Sequence, residues 1–156
     1  MKKQVLLIFA ALLLFSYASS AQIYEGDSKN HLKNLFRAGK YDKSSIKTET
    51  DSSYTYLLRG DIKPVDIYFL FDKKSNCYFE KWTFDCDTCY NETLKKILDK
   101  GRYKWKKSDN NTYLSKSSKQ LKLSVDLPKL TFTITQLYMR EEDYLLLYNK
   151  TAAIQN

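Results

Sequence analysis

An α+β fold is predicted: an antiparallel sheet of about six strands packed by one central helix, with short helices near the N- and C-termini. Three observations carry that expectation. Apolar residues recur at every second position through most of the chain after Tyr54. One segment, residues 86–98, switches to helical spacing. The polar breaks between the alternating runs are short enough for hairpins, whereas a parallel Rossmann-like sheet needs long crossovers.

The N-terminus reads as a secretory signal peptide. Met1-Lys2-Lys3 is a cationic start, residues 5–15 are an unbroken apolar run, and Ser19-Ser20-Ala21 places small residues before a cleavage point at Gln22. The apolar run is about half of the roughly 20 residues a membrane-spanning helix needs, so no membrane span is expected after cleavage of residues 1–21. Removing Lys2 and Lys3 lowers Lys and Arg from 26 to 24 against 18 acids, and the net charge from +8 to +6. No cysteine adjoins the cleavage point, which excludes a lipid-modified N-terminus of the bacterial lipoprotein kind. The composition, rich in Lys, Asn and Tyr, looks bacterial, so the expected location is the periplasm or the exterior.

Residues 22–53 form an N-terminal helix and a polar lead-in. Leu32, Leu35 and Phe36 have helical spacing before Gly39, and residues 40–53 are polar without an apolar period. Residues 54–150 are the α+β domain. Tyr54, Tyr56 and Leu58 alternate, then Val65, Ile67, Phe69 and Phe71; residues 77–84 alternate again. Asp85 or Asp87 caps the central helix, whose stripe is Cys86, Tyr90, Leu94, Ile97 and Leu98. Further strands are expected at residues 102–107, 112–115, 120–125 and 130–137, and a closing helix at 141–149.

Cys86-Asp87-Thr88-Cys89 is a C-x-x-C that opens a helix after a strand, a position where the helix N-terminus stabilises a thiolate. This patch resembles the thioredoxin family, and Leu127-Pro128 before a strand resembles that family's proline. The resemblance implies thiol-disulfide chemistry at Cys86 and Cys89. The alternating strand ahead of the motif, with Glu80 and Lys81, differs from the buried parallel strand such a scaffold needs. A structural Cys86–Cys89 disulfide is therefore the first reading. Cys77 is the odd cysteine, since a strand rising about 3.3 Å per residue carries it beyond disulfide reach of Cys86.

A basic run follows the helix. On a strand, Arg102, Lys104 and Lys106 share the face away from Tyr103 and Trp105, and Lys122 on a neighbouring strand extends the stripe. These four are the anion-binding candidates. Export away from the genome disfavours nucleic acid and leaves an anionic glycan, a lipid headgroup or an acidic protein as partner. A half-buried strand with lysines outward gives the same pattern without any ligand.

Other chemistry is thin. His31 is the only histidine and lies on the first helix, no G-x-S-x-G elbow or glycine-rich phosphate loop occurs, and no metal-ligand spacing or cofactor motif stands out. Glu80 and Asp85 are carboxylates of the type a glycosidase uses. The tripeptides at Asn91, Asn110 and Asn149 match the N-glycosylation pattern, relevant only in a eukaryote. The resulting expectation is a small exported binding or interaction domain without catalysis. Its rivals are a thiol-disulfide protein and a hydrolase with an unrecognised site.

Overall fold

The structure, a computed structural model, describes residues 23–37, 45–59, 64–117 and 119–150. The signal-peptide reading falls on residues outside these, as does Gly39. Helix α1 spans Lys29–Arg37, and the strands β1 to β4 are Ser45–Glu49, Ser53–Arg59, Pro64–Phe71 and Cys77–Phe84. Helix α2 follows at Asp87–Leu98, then β5 to β8 at Lys106–Asp109, Thr112–Leu114, Leu121–Asp126 and Thr131–Gln136, and α3 at Glu141–Lys150.

All eight strands form one antiparallel sheet in the order β1-β2-β3-β4-β8-β7-β6-β5. The chain lays down one four-stranded meander, crosses with α2, and lays down a second whose last strand pairs back to β4. Antiparallel strands linked by tight turns need no long crossover, so a single helix suffices to join the halves.

Alternation decides the two faces. Tyr54 and Tyr56 lie across from Phe69 and Ile67, which lie across from Glu80 and Trp82, which lie across from Ile134 and Phe132. All eight are buried. α1 covers this face through Phe36, whose ring is 4.1 Å from Tyr56 and 6.0 Å from Phe69. α2 covers it through Tyr90, with its ring 5.7 Å from Phe84 and 6.1 Å from Phe132, and through the buried Ile97. Tyr24, from the segment ahead of α1, sits between them against Phe69 at 5.6 Å and stacks on Trp82 at 6.4 Å.

Among the described residues, the other face is covered at one corner by α3. Leu114 pairs with Lys106 and Lys122 on the side opposite Tyr113 and Leu123, yet it is buried. α3 accounts for this, because its buried Tyr144 donates to the Ser115 and Leu121 carbonyls and its Tyr148 ring lies 5.0 Å from the Lys106 ammonium.

Four expectations need correction. The sheet has eight strands instead of about six, and its core face is packed by α1 and α2 together instead of by one central helix, the helices near the two termini being present as expected. β1 emerges from the polar lead-in, at the sheet edge, where a strand buries little and needs no apolar period. The strand expected at 102–107 begins only at Lys106, because Tyr103 and Lys104 donate back to Lys100 and Gly101 in tight turns and Lys104 adopts a left-handed φ of 47°. Finally, Cys86, not Asp85 or Asp87, is the N-cap of α2, its sulfur accepting from the Cys89 amide at 3.2 Å.

Candidate functional site

The β4–α2 junction brings Cys86 and Cys89 together in a disulfide with Cα atoms 5.3 Å apart. Both residues are half-buried. β4 is antiparallel to both β3 and β8, so the parallel strand that the thioredoxin resemblance implies is replaced by another topology. Pro128 lies exposed in the β7–β8 turn, where Leu130 accepts from the Phe84 amide at 3.0 Å. Cys77 is buried at the other end of β4 and unpaired. Burial, reinforced by Glu80 and Glu25, pushes its thiol well above the ordinary range, so it has no thiolate character.

The four basic candidates do not share one strand face. Arg102 lies 4.7 Å over the Tyr103 ring and donates to its hydroxyl at 2.6 Å. Lys104 projects from the left-handed turn, and its carbonyl accepts from Tyr148 at 3.0 Å. Lys106 and Lys122 do share a face, on either side of Leu114. Sequence reasoning missed Lys116, whose amide donates to the Tyr103 carbonyl at 2.9 Å and so brings the 115–117 turn against the Arg102–Lys104 loop.

Some cations of the described residues are ion-paired, and the basic candidates are not. Lys29 and Lys33 meet Glu49, Lys47 meets Asp66, Lys129 meets Asp126, and Arg140 meets Asp143. Arg102, Lys104, Lys106, Lys116 and Lys122 have no carboxylate partner. From Lys100 to Lys122 the chain carries eight basic residues and one acid, Asp109, so this stretch contributes a positive field.

The third cluster is internal. Glu80 stands in the aromatic face of β4, fully buried, and accepts from the Tyr24 amide and from Trp82 Nε1 at 2.8 Å. The carboxyl facing it is that of Glu25, also fully buried, whose oxygens have no conventional donor. Burial pushes Glu80 up to about 7, the pull of its donors notwithstanding. Burial and then the Glu80 charge raise Glu25 well above the carboxylate range. Glu80 and Asp85 are not brought together: Asp85 is exposed beyond the strand end, roughly 16 Å along the chain at strand rise.

Among the described residues no three His, Cys, Asp or Glu are grouped to hold a metal ion, and no helix is long and apolar enough to cross a membrane. Compared with protein families, with curated proteins and with solved structures, the chain matches none.

Proposed function

We propose that the protein is an exported, non-catalytic binding domain that holds an anionic partner at the corner built by Arg102, Lys104, Lys106, Lys116 and Lys122. One observation carries this reading: none of these five cations has a carboxylate partner, and they belong to a stretch, residues 100–122, that holds eight basic residues and one acid. Unpaired like charges gathered on one surface repel one another, a cost that an anionic ligand relieves. The export half of the reading rests on the N-terminal sequence. The non-catalytic half is supported by the burial of Glu25 and Glu80, the strongly perturbed acid pair among the described residues, beneath the sheet's aromatic layer, away from any substrate in solvent.

The partner chemistry is that of a carboxylated or sulfated glycan or an anionic lipid headgroup. Lys104→Glu with Lys106→Glu tests it, using dextran sulfate and phosphatidylglycerol vesicles as separate probes at low and high salt. Binding to one probe should fall at least tenfold in the double variant, a loss of about 1.4 kcal/mol. It should also weaken with salt, since exposed charges are screened over about 8 Å at physiological ionic strength. Melting should change little, the Lys106–Tyr148 contact contributing about 0.5–1 kcal/mol. Binding of neither probe, or binding indifferent to salt and to the substitutions, would refute the proposal.

A second reading keeps thiol-disulfide exchange at Cys86 and Cys89. The observation in its favour is the Cys86 sulfur at the N-cap of α2, where the helix dipole favours a thiolate once the bond is reduced.

A further inference from the structure

Residues 23–28 cross the aromatic face of the sheet as a strap ahead of α1. The backbone of the strap is tied to the start of β4: the Gly26 amide donates to Cys77 at 2.7 Å and the Cys77 amide to Asp27 at 2.9 Å, with a further bridge between Ser28 and Asn76. Side chains fix it from within, since Tyr24 is buried among Phe36, Phe69 and Trp82. Against those favourable contacts stands one unfavourable juxtaposition. The strap carries Glu25 into the interior, where the carboxyl it meets is that of Glu80.

Two ionised carboxylates in one dry site repel strongly, and neither is hydrated. The geometry also says which of the two keeps a proton. Glu80 has two fixed N–H donors, from Tyr24 and Trp82, that favour its charged form. Glu25 has none, so its carboxyl is satisfied only as an O–H that donates to Glu80. We propose that a single proton held between Glu25 and Glu80 fastens the 23–28 strap to the sheet, and that the strap loosens when rising pH removes it.

The surrounding charges leave that conclusion standing. Lys119 reaches the Glu25 carbonyl from the β6–β7 turn and favours ionisation of its carboxyl. Lys100, at the end of α2, is drawn toward Glu80 but is itself held down by burial and by Arg102. Asp27 on the strap opposes ionisation of Glu80. Tyr103, from the α2–β5 loop, and Cys77 on β4 face the pair as neutral groups whose own ionisation the carboxylates oppose. The strap amides are the reporters, because the Tyr24 amide bonds to the titrating pair itself.

Amide exchange of the signal-free chain tests the latch. Between about pH 5.5 and about pH 8.5, protection factors at Tyr24 and Gly26 should fall about tenfold or more, while those at Ile67 and Phe69 hold. Glu25→Gln keeps a donor facing Glu80 without a removable proton and leaves Glu80 a carboxylate with three donors, so its strap should lose less than about threefold over the same interval. Infrared difference spectroscopy of the wild type supplies a readout independent of that variant: the carbonyl stretch of a protonated buried carboxyl should persist to near-neutral pH and vanish above it. Strap protection that ignores pH, an equal fall in Glu25→Gln, or no protonated carboxyl near neutrality would each overturn the proposal.

Discussion

Raising the pH should destabilise this protein across the acid-to-neutral range, against the trend its net charge sets. Glu80 is raised from an ordinary carboxyl value near 4.5 to about 7 in the folded state. A group bound more tightly to its proton when folded contributes stability that is complete below the unfolded value and is lost as pH rises through the folded one. The window therefore runs from about pH 4.5 to about pH 7, and the loss, which belongs to the Glu25–Glu80 pair and its one proton, is on the order of 3 kcal/mol. Glu25, raised by burial and by the Glu80 charge, is the partner that carries this shared proton. Set against a total stability of about 5–15 kcal/mol for a domain of this kind, that is a large fraction. A sequence pI near 9.2 makes the opposite forecast, because approaching it relieves general repulsion among the cations. Glu49 also opposes the trend, but only at more acid pH, since Lys33 and Lys29 hold its carboxyl below the usual range. Urea titrations at half-unit pH steps measure the outcome: the midpoint should fall by roughly 1–2 M from pH 5 to pH 8. Glu80→Gln should flatten the curve. A midpoint that holds or rises in the wild type, or a Glu80→Gln curve as steep as the wild type's, would refute the reasoning.

Ile97→Asp should cost more than about 3 kcal/mol, since it puts an unpaired charge at a fully buried position of α2; Leu94→Asp, on the half-buried flank, should cost less, and near wild-type melting of Ile97→Asp would contradict the packing of α2. In an insulin-reduction assay with dithiothreitol the protein should give no acceleration over the reductant alone, and Cys86→Ser should lower stability instead; turnover that depends on Cys86 would establish the redox reading. N-terminal sequencing of exported material should begin at Gln22, free or blocked as pyroglutamate, and full-length chain in the membrane fraction would reverse the export reading.

Most of the fold was readable because the chain has two clean periods. Strands whose core face carries rings, such as Tyr54 and Tyr56 or Phe132 and Ile134, announce themselves by alternation. α2 does so by its stripe, and it ends near Gly101 as expected. What failed has a common cause. β1 and the start of β5 are at the two edges of the sheet, where packing imposes little on sequence. Glu49 looks solvent-directed in sequence but is placed by Lys29 and Lys33 from α1. In residues 102–105 the alternation of basic and aromatic residues is real, yet it arises from turns that bury Tyr103 and expose Lys104. A period of two in four residues does not distinguish a strand from a pair of tight turns.

The candidate sites divide along the same line. Cys86 and Cys89 are three residues apart, so their pairing is local and the motif alone suggests it. The basic corner was only half visible, since Lys106 and Lys122 require the β5-β6-β7 register and Lys116 requires a backbone contact with Tyr103. Glu80 did carry a signal: by parity it falls between Phe84 and Trp82 on one side and Phe69 across the ladder, on a face otherwise made of rings. A carboxyl on such a face must find donors or keep a proton. Its partner left no trace, because Glu25 belongs to a segment without a period, and 56 residues separate its neighbour Tyr24 from the Glu80 oxygen it bonds. The misplaced charge was therefore the readable half of the acid pair, and the return of the strap to β4 is the tertiary event that completes it.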